Sequence, residues 1–289
     1  MKKKRRLSWS AILLILGCVV GLSMLLYPSF ADYWNSRVSM VAITDYEKTV
    51  ETLDESEYEE IWQAARTYNE ILYHGSGGTE YSLADHYDEC LNVSGVGLMG
   101  YVEIPKIKVM LPLYHGVSDS VLQIAAGHLE WTSLPVGGEN THCALSGHRG
   151  LLSAKLFTDL DQLREGDEFM LNILDETLTY QVDQIRIVEP EDTSDLAIEE
   201  GKDYCTLVTC TPYGINTHRM LVRGHRVETK IGVHIVSEAV LVDQLIVASF
   251  LALPVLFALL MVVLFKKPKP QKPKVTYSDL FTDDGGKKV

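Results

Sequence analysis

A thiol, an imidazole and a guanidinium can between them carry out acyl transfer. The thiolate attacks a carbonyl, the imidazole moves the proton, and the guanidinium holds the oxyanion that develops. Cys210 closes the strand-like run of residues 204–209, the turn formers Pro212 and Gly214 follow it, and Arg219 stands nine residues on. A thiol at a strand exit is open to substrate in a way that a core cysteine is not. His148 lies in Leu145-Ser146-Gly147-His148-Arg149-Gly150, again where an apolar run meets a glycine turn. Nine histidines compete for the proton-transfer role. His74 and His86 lie in a loop-like stretch, while His115, His128, His142, His218 and His225 read as turn or strand-face residues. His234 lies outside the strand pattern, which leaves His148 as the favoured candidate. Arg149, Arg223 and Arg226 are alternatives to Arg219 and read as structural.

The elements that must hold these groups are mostly strands. Residues 100–104, 109–114, 143–146, 168–173, 178–188, 205–209 and 220–227 are short apolar runs bounded by Pro, Gly or Asp, the pattern of a barrel or sandwich. Residues 45–73 contain no Pro or Gly and place Tyr58, Ile61, Trp62, Ala65, Tyr68, Ile71 and Leu72 at helical spacing, which predicts one or two amphipathic helices. Gly75-Ser76-Gly77-Gly78 breaks that pattern, so residues 74–93 read as a loop or short lid. Short helices are expected near Ser118, with Asp119 and Ser120 as capping candidates, and near Ser153, covering residues 155–163.

Two charge-free apolar runs flank this region. Residues 9–27 follow Lys2, Lys3, Lys4, Arg5 and Arg6, and residues 245–265 precede Lys266, Lys267 and Lys269. Each is about long enough to cross a hydrocarbon core of roughly 30 Å. The placing of the basic flanks predicts both termini in the cytoplasm and the middle outside. A cleaved signal peptide ending near residues 29–31 is the alternative for the first run. The expected organisation is a basic N-terminus (1–8), an anchor or signal segment (9–27), an external helical region with a lid-like loop (28–96) and a mainly β catalytic domain (97–232). A juxtamembrane linker (233–244), a transmembrane helix (245–265) and a basic tail (266–289) complete it.

The net charge of -13 hides an asymmetry, because residues 1–8 and 266–289 hold 12 of the 26 basic residues and only 3 of the 39 acidic ones. The remainder carries -22, a poor surface for nucleic acid and a solubilising exterior for an external domain. Of five cysteines, Cys18 lies in the first apolar run, and the other four are too few for a disulfide scaffold. No CxxC or HExxH spacing occurs, so neither a metal nor another cofactor is expected.

The segments Gly100-Tyr101-Val102-Glu103-Ile104-Pro105-Lys106-Ile107, Gly127-His128-Leu129-Glu130, Ser133-Leu134-Pro135-Val136-Gly137-Gly138, Ser146-Gly147-His148-Arg149-Gly150, Thr206-Leu207-Val208-Thr209-Cys210 and Asn216-Thr217-His218-Arg219 together make residues 97–227 resemble a class C, pilus-type sortase. The family's TLxTC motif falls on residues 206–210, its histidine on His148 and its arginine on Arg219. The resemblance implies a mainly β, eight-stranded sortase barrel with N-terminal amphipathic helices between two transmembrane helices. It also implies a membrane-anchored transpeptidase that cleaves an LPxTG-like sorting signal between Thr and Gly through a thioacyl intermediate on Cys210. Thr206, Leu207 and Thr209 would then contact the sorting peptide. The acceptor would be a pilin lysine amine, or a peptidoglycan stem amine if single surface proteins are attached to the wall. A non-catalytic scaffold that only binds sorting peptides is a further alternative. A papain-like hydrolase fits less well, since its cysteine opens a helix whereas Cys210 closes a strand.

Two features depart from the family pattern. Many pilus-type sortases plug the cleft with an Asp-Pro-aromatic anchor, and residues 74–93 contain none. Tyr81 or His86 is a possible plug, a plain loop the simpler expectation. Cys143 and Cys205 each precede a catalytic candidate by five residues, an odd offset that turns them to the opposite face. If their strands run side by side in parallel, as the resemblance implies, they become neighbours. Small packing residues are then expected rather than a disulfide, whose geometry is restrictive.

Overall fold

Side chains that alternate between two environments along short runs bounded by turn formers build a sheet with one face inward. The computed structural model describes residues 9–75 and 82–229. Its eight strands are β1 (Leu98–Ile104), β2 (Val109–His115), β3 (Ala126–His128), β4 (Thr141–Ser146), β5 (Glu168–Ile173), β6 (Glu176–Val188), β7 (Asp203–Thr211) and β8 (His218–Val227). They close into a barrel in the order β1-β2-β3-β4-β7-β8-β6-β5, so every strand has a neighbour on both sides. β2 and β3 pair in parallel, as do β4 and β7, and the remaining neighbours are antiparallel. The expected mainly β barrel is therefore what the chain forms. Cys143, Leu145, Phe169, Leu171, Tyr180, Cys205, Leu207 and Val222 belong to one buried cluster that fills it.

Helices lie on the N-terminal side of this sheet in sequence. α1 (Trp9–Glu51) is continuous through Pro28, and α2 (Glu55–His74) starts at a capping box in which the Asp54 carboxylate accepts from Ser56 and Glu57 while Glu57 accepts from the Asp54 N–H. The stretch expected to hold one or two helices thus breaks at Asp54. α1 is long and apolar enough to cross a membrane, and Leu13, Leu16, Met24 and Leu25 are exposed along it. Further along, Ile43 and Tyr46 pack with Leu98 and Tyr101 of β1. The Tyr46 hydroxyl donates to the Met99 carbonyl at 2.9 Å and accepts from the Leu174 N–H at 2.8 Å. α2 buries Trp62, Ala65, Tyr68 and Asn69, and the Asn69 amide pairs with both backbone groups of Leu134.

The chain after α2 resumes with α3 (Leu83–His86) and a 3-10 turn, Tyr87–Glu89. Tyr87 anchors this segment. It is buried, its hydroxyl lies 2.8 Å from His128 Nδ1 and accepts from the Gly116 N–H at 3.0 Å. α4 (Asp119–Leu122) forms where a short helix was expected, with Ser118 at the N-cap position. The helix expected over residues 155–163 is not formed, and a single 3-10 turn, Leu160–Gln162, stands there. Two amides at the start of the segment are committed elsewhere, the Lys155 N–H to Asp32 and the Phe157 N–H to the His148 carbonyl, and those of Thr158, Leu160, Gln162 and Leu163 close short i to i−3 turns instead. Expectations for residues 1–8, 76–81 with Tyr81, and 230–289, including the linker at 233–244, the apolar run at 245–265 and the tail at 266–289, fall outside the described residues.

Candidate active site

Parallel β4 and β7 place Cys143 beside Cys205 and Ser146 beside Val208. The register continues past the end of the ladder. The Gly147 N–H donates to the Val208 carbonyl at 3.0 Å, the Thr209 hydroxyl donates to the Gly147 carbonyl at 2.7 Å, and Arg149 Nη1 donates to Thr211 Oγ1 at 3.2 Å. The last two pairs share a separation of 62 residues, the offset between Ser146 and Val208. His148, two residues beyond the end of β4, is therefore bracketed by bonds that put it level with Cys210 on β7. Antiparallel β8 sets Arg219 directly opposite Cys210 on the other side, with Val188 of β6 beyond it. The segment just after β4, together with β7 and β8, thus carries the three candidate groups side by side.

Alternation turns them away from the barrel interior. Cys210 shares a face with Val208, which packs with Ala144, Leu196 and Leu221 in a small outer cluster beneath the β6–β7 connection. Cys210, His148 and Arg219 are all half-buried, so the site is sheltered but reachable. Arg219 Nη1 donates to the carbonyls of Asn216 at 3.3 Å and His218 at 3.2 Å, and the side chain makes no ion pair among the described residues. Its remaining N–H groups are available to an incoming oxygen.

Glycines let the chain pass closely around His148. A Cβ on Gly147 would sit 2.5 Å from the Phe157 ring, and Gly150 adopts φ +81° against the Tyr213 ring. The His148 carbonyl accepts from the Phe157 N–H at 3.1 Å, while the Gly150 N–H donates to Thr158 Oγ1 at 3.1 Å.

The strand residues expected to touch a peptide have other contacts. Leu207 lies in the main core, Thr209 is buried and bonded to Gly147, and the Thr206 hydroxyl lies 2.8 Å from His142 Nε2. His142 is a participant that spacing did not single out. Its Nδ1 lies 2.9 Å from the Ala197 carbonyl, so an imidazole that donates to Ala197 and accepts from Thr206 ties the β6–β7 connection to β7. Burial lowers its pKa, keeping it neutral. His86, the described plug candidate, ends α3 with Nδ1 3.4 Å from a Glu89 oxygen.

Cys143 and Cys205 are buried free thiols on the inner face, directly paired in the register of β4 and β7. Burial pushes the Cys205 thiol far up, which makes it a poor nucleophile. Arg223, read as structural, forks onto Asp183 at 3.0 and 3.2 Å and lies over the Tyr204 ring. Among the described residues no group of three or more His, Cys, Asp or Glu is arranged for a metal ion.

A half-buried thiol flanked by an imidazole and by a guanidinium that makes no ion pair among the described residues is an arrangement that can attack a carbonyl, hold the oxyanion and hand a proton to the departing group. Comparison with known proteins agrees with that chemistry. A sortase-domain family profile matches residues 102–227. The chain is 54% identical to sortase C1 from Streptococcus agalactiae, with a TM-score of 0.62, over 65% of this chain and 99% of that one. It is 46% identical to sortase C of Streptococcus pneumoniae, with a TM-score of 0.59, over 65% and 97%. For Clostridium perfringens sortase C solved with the C-terminal cell wall sorting motif, the identity is 42% and the TM-score 0.58, over 66% and 100%. Among curated proteins it is 32% identical to sortase D of Bacillus subtilis over 131 residues, 44% of this chain and 63% of that protein. The chain thus spans less than two thirds of the length of that curated relative.

Proposed function

Because the chain belongs to the sortase family, and to its class C, we propose that it is a membrane-anchored cysteine transpeptidase that polymerises pilin subunits. Cys210 attacks the Thr carbonyl of an LPxTG-like signal, Arg219 holds the oxyanion, and His148 gives a proton to the departing Gly amine. A pilin lysine amine then resolves the thioacyl group, with His148 taking back a proton, to leave an isopeptide bond. Support comes chiefly from one observation: the pairing of Cys210 with Arg219 on one side and its level register with His148 on the other. Of the three strand residues expected to contact the peptide, Thr206 lies on the face of Cys210 and bonds His142, while Leu207 and Thr209 act from the inner face by packing β7 and holding Gly147.

The exposed apolar stretch of α1 supports a role as the anchor, with the barrel outside the cell. The basic flanks of both apolar runs support cytoplasmic termini. Incubating the protein with an LPxTG-type peptide and then an amine tests the reading. A thioester on Cys210 that disappears as an amide product forms is expected, and an unmodified Cys210 refutes it. Offering a lysine-bearing pilin and a stem-peptide amine side by side separates polymerisation from attachment of single proteins to the wall.

A further inference from the structure

We propose that Arg149 is a positioning residue for His148, bridging the two strand exits that carry the reacting pair. The inference rests on the transpeptidase reading and concerns how its imidazole is held. No hydrogen bond to the His148 ring occurs among the described residues, so its placement depends on its own backbone and on what fixes that backbone. On the side before it, the Thr209 hydroxyl holds the Gly147 carbonyl at 2.7 Å. On the side after it, Arg149 Nη1 holds Thr211 Oγ1 at 3.2 Å. The second bond joins the residue following His148 to the residue following Cys210. These two bonds bracket the reacting pair in one register.

The other end of the guanidinium pairs with Asp161, on the 3-10 turn that closes the loop leaving β4. One cation therefore spans the loop after His148 and the end of β7, the strand that carries Cys210. Its side chain is only 9% exposed, against 44% for Asp161, and its Nε is a buried donor with no partner among the described residues. An arginine present only for stability would be better replaced by an apolar side chain than kept with an unmet N–H. The fork geometry that reaches Thr211 and Asp161 at once explains why the residue is retained.

The test uses the full chain in detergent or vesicles and the variants Arg149→Met, Arg149→Lys, Thr211→Val and His148→Ala. Arg149→Met keeps the apolar stem and loses the bridge. Its kcat for peptide transfer is expected to fall about 30- to 100-fold with KM within about threefold of wild type, the effect of a small misplacement. Arg149→Lys should lie between the two, and Thr211→Val combined with Arg149→Met should cost little beyond Arg149→Met alone. A readout that needs no peptide accompanies this: the pH profile of Cys210 alkylation by iodoacetamide, followed by mass. For Arg149→Met it should move toward the profile of His148→Ala. Thermal unfolding measured alongside corrects every rate for the folded fraction. If corrected kcat and the alkylation profile of Arg149→Met both stay at wild type, the proposal is overturned. A wild-type chain that forms no adduct with peptide would instead overturn the transpeptidase reading, and the alkylation profile would still decide the role of Arg149.

Discussion

Cys210 and Arg219 face each other across the antiparallel pair of β7 and β8, so thiol and guanidinium leave the sheet on one side and need no loop to bring them together. Arg219→Ala should lower the transfer kcat by about 10²- to 10³-fold, the usual cost of losing an oxyanion donor. Arg219→Lys should fall between, because a point charge lacks the planar fork. Steady-state kinetics with an LPxTG-type peptide and a saturating amine check this, and an unchanged kcat in Arg219→Ala would sink it.

Thr209→Val keeps the shape of a buried side chain and removes the hydroxyl that meets the Gly147 carbonyl. The barrel should lose about 1–3 kcal/mol, the cost of leaving a buried acceptor unmet. Urea unfolding followed by tryptophan fluorescence measures it. An unaltered midpoint would mean that the carbonyl finds another donor.

His142 gives the fold a pH dependence whose sign follows from burial. Its pKa in the barrel is lowered from the ordinary 6.5, so near and below that value the unfolded chain binds the proton more readily. The stability contributed by the neutral ring is complete above about pH 6.5 and is lost as pH falls through the folded value. Unfolding free energies measured from about pH 8 to about pH 5 should decline, and His142→Gln should show a shallower decline from a lower starting point. Equal slopes in the two proteins would remove His142 from the explanation.

Cys143 and Cys205 are adjacent, buried and unjoined. Intact mass should be the same before and after reduction, and a two-dalton gain on reduction would show that the pair closes in solution.

Much of this was legible in the sequence because the strands are long enough to show their alternation. β5 spans the expected residues without change, and β7 and β8 extend the expected runs by only a few residues. β3, with three residues, is too short for alternation to register. It is held by pairing with His115 and Leu145 on its two neighbours, which no local signal announces. The segment over residues 155–163 has helical composition, but distant partners take the amides of Lys155 and Phe157 at its start and only i to i−3 turns follow. At the site, the residue types and turns around Cys210 and His148 could be read directly. The bonds from Thr209 to Gly147 and from Arg149 to Thr211 could not, because they exist only once β4 and β7 lie side by side. Tyr87 was hidden for the same reason, since its partners at His128 and Gly116 are distant in sequence.

The parallel union of β4 and β7 also governs when the molecule can become active. Parallel neighbours cannot be joined by a tight hairpin, and here β5 and β6 intervene in the chain before β7 arrives, with the guanidinium following on the last strand. A nascent chain that has completed His148 has no thiol beside it, and one that has completed Cys210 still lacks its cation. On the transpeptidase reading, the three groups are all present only once the chain has been completed as far as β8, the last strand of the barrel.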